Sequence, residues 1–157
     1  VEVMVDVEER EALRSVPAQL RTIVEAHDPT PAAEQVRRRL FPRAYDDDEA
    51  EAEYQSMTEP DLRQQRFDAL ETFARTLDEG TERGRRWHVR LTGDEAEAWL
   101  AVVNDARLVL ATTMGISDES EWDRGPDHDD PASVMLYYLG WLEEELVTAL
   151  TATLTDD

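Results

Sequence analysis

Residues 93 to 115 read GDEAEAWLAVVNDARLVLATTMG, and the fold turns on them. From Trp99 onward the stretch is apolar nearly all round, and a helix of that kind is buried by its neighbours rather than laid on a surface. Thr92 followed three residues later by Glu95 is the spacing of a capping box, which starts the helix. Gly115 followed by Ile116 suits a Schellman ending. Asn104 and Arg107 lie three apart, which puts them on one face beside Leu100 and Ala111. A buried polar pair must be satisfied, because an unpaired buried charge is very costly. Asn104 and Arg107 therefore either line a ligand or partner pocket or are structural. In the structural case Arg107 bridges to a carboxylate on another helix, and Asn104 bonds a backbone turn.

The segments on either side supply what would surround this central helix. The opening VEVMVDV alternates Val1, Val3 and Val5 with Glu2 and Asp6, a period-two strand pattern. Asp6 and Glu9 repeat the capping spacing and begin a helix whose face runs Leu13, Val16, Leu20, Ile23 and Val24. Pro17 falls inside it, predicting a kink or two abutting helices. A short helix is expected from about Pro31 to Leu40, stopped by Pro42. Next comes RRRLFPRAYDDDEAEAEY (37–54), with four arginines followed by six acids. Arginines in a last helical turn and acids in a first turn each sit where the macrodipole favours them, by about 0.3–1 kcal/mol apiece. That predicts two helix ends meeting at Pro42.

Thr58, Pro60 and Asp61 read as a further helix start, with Leu62, Phe67, Leu70, Phe73 and Leu77 on one face and Gly80 as its end. In TERGRRWHVRLT, Trp87, Val89 and Leu91 alternate with His88 and Arg90. This is a second strand, able to face His88 and Arg90 to Glu2 and Asp6. Residues 117–130 read as an acidic loop. Asp130-Pro131 then opens a last helix striped with Met135, Leu139, Leu142, Leu146 and Leu150. The expected fold is mainly α: a helical bundle of about five to six helices with a small two-stranded β element near residues 1–5 and 86–91. The 157 residues are expected to form a single domain, 1–157.

Composition narrows the function. With no cysteine, disulfides, thiolate catalysis and cysteine metal sites are excluded. The net charge is −21, and all 16 cations are arginine, so the far field repels nucleic-acid phosphate and anionic membranes and favours basic partners. No apolar run is long enough to span a membrane and no signal-peptide pattern opens the chain, so a cytoplasmic location is expected. His27, His88 and His128 lack metal-site spacing. DHDDP (127–131) lacks the Gly and distal Glu of a calcium loop, and no nucleophile or phosphate-loop motif is present. No catalytic residue, metal or cofactor is expected.

Two features remain. Arg37, Arg38, Arg39 and Arg43 form one basic cluster; Arg83, Arg85, Arg86 and Arg90 form another. Together they offer a nucleic-acid surface if the fold joins them, and otherwise salt bridges. Tyr137, Tyr138 and Trp141 are candidate interface anchors, or core residues of a helix wrapped on several sides.

The combination of LFPRAYDDDEAEAEY (40–54), DEAEAWLAVVNDARLVL (94–110) and DDPASVMLYYLGWLEEELV (129–147) resembles an actinobacterial domain-of-unknown-function family, the one that includes the oxidative-stress transcriptional regulator AosR. The resemblance covers nearly the whole chain. It implies a non-enzymatic, transcription-associated regulator acting on DNA or RNA polymerase, with oxidant sensing by cysteine. This chain has no cysteine for such a switch. The resemblance thus implies DNA contact through the two arginine clusters, as a dimer. The residues taken alone give an acidic helical module that binds a protein partner or a second copy of itself.

Overall fold

The computed structural model describes residues 1–25, 30–116, 125 and 127–155. His27 and residues 117–124 of the acidic loop lie outside the described residues. In chain order the elements are β1 (Glu2–Asp6), α1 (Val7–Arg14), α2 (Val16–Glu25), α3 (Pro31–Leu40), α4 (Asp48–Leu77), β2 (Thr81–Arg83), β3 (Arg86–Arg90), α5 (Gly93–Thr113) and α6 (Pro131–Thr155). The fold is mainly α with a small antiparallel sheet, as the periodicity predicts.

The stretch 93–115 is the central helix. α5 packs against α2, α3, α4 and α6, and Ala96, Trp99, Val102, Val103, Ala106 and Ala111 are buried along it. At its start the Thr92 hydroxyl accepts from the Glu95 N–H (3.2 Å) and the Glu95 carboxylate accepts from the Thr92 N–H (2.9 Å). Those bonds, the Thr92 amide first and then Arg75, hold the Glu95 carboxyl below its ordinary range. At its end Gly115 takes φ +75° and the Ile116 N–H reaches back to the Ala111 carbonyl (2.9 Å). Fully buried Trp99 donates its indole N–H to the Thr76 hydroxyl of α4 (2.7 Å). The ring also lies 4.7 Å from Phe73 and 6.4 Å from Trp87, nearly parallel to the latter. This aromatic cluster ties α4, α5 and the sheet into one core.

The sheet has three strands in the order β1-β3-β2, one more than the alternation revealed. The added strand, Thr81–Arg83, is exposed at every position and so carries no period-two pattern. Its position comes from the turn: Arg83 pairs with Arg86 across Gly84-Arg85, and Gly84 takes φ +63°, as the first central residue of a type II′ hairpin requires. β1 and β3 bury Val3, Val5, Trp87 and Val89 on the helices. On the outer face, Arg90 reaches Glu2 at 2.9 Å, with His88 3.7 Å from the same carboxylate, and Arg86 lies 3.9 Å from Asp6.

Pro17 marks two abutting helices, as expected: α1 ends at Arg14 and α2 begins at Val16, which puts Pro17 in a first turn where its missing N–H is harmless. Pro60, by contrast, starts no helix. α4 runs unbroken through it for 30 residues. The Thr58 hydroxyl, instead of capping, bonds the Tyr54 carbonyl within the helix (2.8 Å). A proline deprives the carbonyl four residues earlier of its donor. Here that residue is Ser56, and both Ser56 and Pro60 are exposed, so the freed group lies on the solvent side of the helix. Gly80 is not a left-handed helix end either; it sits against Trp87 because a side chain would not fit there.

No helix among the described residues is long and apolar enough to cross a membrane.

Candidate interaction surfaces

The first arginine cluster lies where α3 hands over to α4, and the charges at the two helix ends neutralise one another. Arg38 pairs with Glu34 (3.3 Å), Arg37 with Glu59 (3.4 Å) and Arg43 with Asp48 (2.9 Å). Glu59 is shared with Arg63 (2.8 Å). Arg39 is exposed. A cavity of about 300 Å³ opens here, walled by Glu34, Glu51 and Glu59 as much as by Arg37, Arg38 and Arg43. With Asp48 also in its wall, an anion entering it would meet four carboxylates.

The organising group of this corner is Glu51, which the run of acids concealed. It is buried at 3 % exposure and accepts from the backbone N–H groups of Ala44 (2.9 Å) and Tyr45 (2.8 Å) and from the Gln55 amide (3.0 Å). Burial pushes its carboxyl up, but those three bonds with the nearby Arg43 charge outweigh it, so the net shift is downward from 4.5. A depressed folded-state value stabilises the protein above the unfolded glutamate pKa and ceases to do so as pH falls through the folded one. In Glu51→Ala, the Ala44 and Tyr45 amides are expected to lose hydrogen-exchange protection at neutral pH while amides around Trp99 keep theirs. In the wild type the same two amides should open first on acidification. Unchanged protection in the variant would show that the loop holds itself.

The second cluster lies on the β2–β3 hairpin, with Arg83 and Arg85 exposed at its tip and Arg86 and Arg90 facing Asp6 and Glu2. The two clusters do not converge. Arg43 pairs with Asp48 and Arg37 with Glu59, whereas the hairpin follows Leu77, so about 27 to 45 Å of helix at 1.5 Å per residue lies between the two clusters along α4. Five of the eight arginines are in ion pairs: 37, 38, 43, 86 and 90.

Asn104 and Arg107 do not form a buried pair. Asn104 is exposed, while half-buried Arg107 reaches across to Glu143 of α6 at 2.7 Å. The Arg107 guanidinium passes over Gly140, whose hypothetical Cβ would lie 3.4 Å from Nε. A side chain at that position would make ordinary van der Waals contact with the guanidinium, so space alone does not demand the glycine. The acid of α5 that packs inward is instead the neighbouring Asp105, half-buried and paired with Arg66 at 3.1 Å. Burial raises the Asp105 carboxyl above its ordinary value, against the pull of Arg66. A lone Asp in an apolar run was the available signal.

On α6, Leu136, Leu139, Leu142 and Leu146 are buried, whereas Val134 and Trp141 are exposed, Trp141 at 48 %. Val134, Tyr137, Tyr138 and Trp141 occupy positions i, i+3, i+4 and i+7, hence one helical face. The Tyr138 and Trp141 rings stack at 5.9 Å. Tyr138 leans inward, and burial pushes its phenol up. The exposed Met4 side chain of β1 lies across a notch from Trp141.

Asp127 and Asp130 turn their carboxylates to the chain itself. Asp127 accepts from the Asp129 N–H and Asp130 from the Ala132 N–H, both at 3.1 Å. Among the described residues no group of three or more His, Asp or Glu side chains is placed to hold a metal ion.

Comparison with known proteins matches residues 1–150 to a domain of unknown function, DUF2017. The chain belongs to the DUF2017 family. No curated protein and no solved structure shows significant similarity to it. The match spans every described element except the last turns of α6, so the features above are those of a DUF2017 domain almost in its entirety.

Proposed function

We propose that this DUF2017 protein is a non-enzymatic protein-interaction module, and that its binding surface is the exposed face of α6 around Trp141 together with Met4. The observation that carries this reading is the contrast between two kinds of surface. The arginines that would grip a phosphate backbone fall in two clusters about 27 to 45 Å apart along α4, and five of the eight are paired with carboxylates. On the aromatic face of α6, Trp141 is open to solvent beside half-buried Tyr137 and Tyr138. A solvent-facing tryptophan stacked on a tyrosine is the kind of anchor on which binding energy concentrates. The resemblance to the family of the oxidative-stress regulator supplies the setting: transcription-associated regulation in an actinobacterial cytoplasm, exerted through a protein partner or a second copy, without a cysteine switch.

Two measurements test this together. A photo-crosslinking amino acid at position 141 is expected to give one discrete adduct in cells, whereas the same group at exposed Glu71 of α4 gives none. DNA from upstream of the gene is expected to show no saturable binding by fluorescence anisotropy at low salt. Saturable binding lost on reversing Arg37, Arg38 and Arg39 to Glu would overturn the proposal in favour of direct DNA contact. Equal, diffuse crosslinking at both positions would overturn it in favour of no specific partner.

A further inference from the structure

We infer that the open edge of β1 receives an extended, basic segment of the partner as a fourth strand of the sheet. This inference rests on the reading of the Trp141 face as an interaction surface and gives that surface its chemistry.

The order β1-β3-β2 leaves β1 at an edge. Its odd-numbered residues direct their backbone groups at the hairpin: the Leu91 N–H bonds the Val1 carbonyl (2.7 Å) and the Val7 N–H bonds the Arg85 carbonyl (2.9 Å). By the alternation of an antiparallel ladder, Glu2 and Met4 direct theirs outward. The Asp6 N–H is occupied by the Glu9 carboxylate. Proteins ordinarily block such an edge with charged side chains, above all lysine, with proline, a bulge or a covering element. β1 carries the acids Glu2 and Asp6 but no lysine, proline or bulge; its register against Arg86–Arg90 runs one to one. Nor does α6 close over it, because a notch of about 120 Å³ lies between them, walled by Val3, Met4, Trp141, Leu142, Glu145 and Leu146. An added strand therefore finds backbone partners at Glu2 and Met4 and an apolar slot beneath its inward side chains.

Charge decides the occupant. Were two copies to pair through β1 antiparallel about Met4, Glu2 would stand opposite Asp6 at both ends. Paired in parallel and in register, each acid would face itself. Arg90 and Arg86 on β3 offset these acids in part, but like charges directly opposite are destabilising, so the edge still disfavours its own kind. With Glu145 at the rim of the notch and a net charge of −21, it suits a strand with cations at two positions flanking one apolar residue.

The probe is a short acetylated, amidated peptide with Lys-Val-Leu-Val-Lys at its centre. This sets the cations against Glu2 and Asp6, the leucine against Met4, and the valines over the notch. In an NMR titration it is expected to shift the Glu2 and Met4 amides saturably and to slow hydrogen exchange at Met4. A peptide with Glu in place of both Lys should bind roughly tenfold more weakly. Met4→Pro removes an outward N–H while leaving the ladder to β3 intact, and should abolish binding with the tryptophan fluorescence of the core unchanged. Should that variant fold poorly, N-methylation of the central leucine makes the same test from the peptide side and should equally abolish binding to the wild-type chain. Binding that survives either block, or shifts confined to α6, would overturn strand addition. No peptide binding while position 141 still captures a partner would sink this inference alone; failure of both would remove the interaction surface with it.

Discussion

Replacing Gly80 with alanine is expected to cost about 3 kcal/mol, toward the upper end for a single misfitting methyl group, and about 10 °C in melting temperature for a chain of this size. A Cβ at this position would lie 2.4 Å from Trp87 Cε2 and 2.5 Å from the His88 carbonyl oxygen. Neither neighbour can give way. The Trp87 ring is 1 % exposed, with the Trp99 ring parallel to it at 6.4 Å and the Arg10 guanidinium 5.2 Å from its centroid. The His88 backbone belongs to β3, the middle strand of the sheet. Arg10 also donates to the Leu77 carbonyl (2.8 Å) and pairs with Glu82 (3.0 Å), so displacing Trp87 would disturb the joint between α1, the end of α4 and the hairpin. Gly93→Ala is the control. No atom outside its immediate chain neighbours lies within 4 Å of a Cβ there, and the change should stay within about 0.5 kcal/mol. Denaturant unfolding followed by tryptophan fluorescence separates the two. Equal losses at both positions would mean that backbone entropy, rather than the Trp87 contact, sets the cost at Gly80.

Gly80 also marks where the sequence stops being legible. A glycine after an apolar stripe reads as a helix end, and the helix does end nearby, at Leu77. The requirement that fixes the residue, close approach of a ring seven positions later, is tertiary and leaves no local trace. Pro60 fails for a related reason. Thr-Glu-Pro-Asp carries the same signals whether a helix starts there or passes through; the outcome depends on whether the orphaned carbonyl of Ser56 reaches water. Where the information is local, the sequence speaks clearly. The Thr92–Glu95 box, the glycine after α5, and the opposed charges about Pro42 all appear as read. The strand Thr81–Arg83 escaped because neither of its faces is buried, leaving the Gly84 turn as its sole sign.

The same division applies to the candidate sites. Spacing correctly puts Asn104 and Arg107 near one another on α5, but a helix apolar nearly all round does not announce which side its neighbours leave open. Asn104 falls on that side. The charge clusters were visible, and their separation was not, because it follows from α4 running through Pro60. Had that helix broken, the hairpin and the α3–α4 corner would have been free to approach each other.

Removing Arg66 is expected to produce a loss of about 2 kcal/mol at neutral pH, below the range for breaking a fully buried ion pair because both partners keep some solvent contact. Arg66 joins three elements: it pairs with Asp105 of α5 at 3.1 Å, donates to the Leu40 carbonyl at the end of α3 (2.7 Å), and lies 4.6 Å from the Phe41 ring centroid. Arg66→Ala leaves Asp105 charged and enclosed, and it leaves the Leu40 carbonyl without that donor. The pH dependence separates these two losses. Asp105 already has its pKa raised above 3.8 by burial, with Arg66 pulling it back; without Arg66 the rise must be larger. A carboxyl whose folded pKa exceeds its unfolded one binds its proton more tightly in the folded state, so stability at this site increases as pH falls through the folded value. The deficit of Arg66→Ala relative to wild type should therefore shrink on acidification, as Asp105 becomes neutral and no longer needs a cation. Arg66→Ala combined with Asp105→Asn should show a smaller deficit at neutral pH and little of this pH dependence. A deficit constant from neutral pH into the acid range would assign the loss to the Leu40 and Phe41 contacts instead, and the Asp105 pair would then contribute nothing measurable to holding α4 against the central helix.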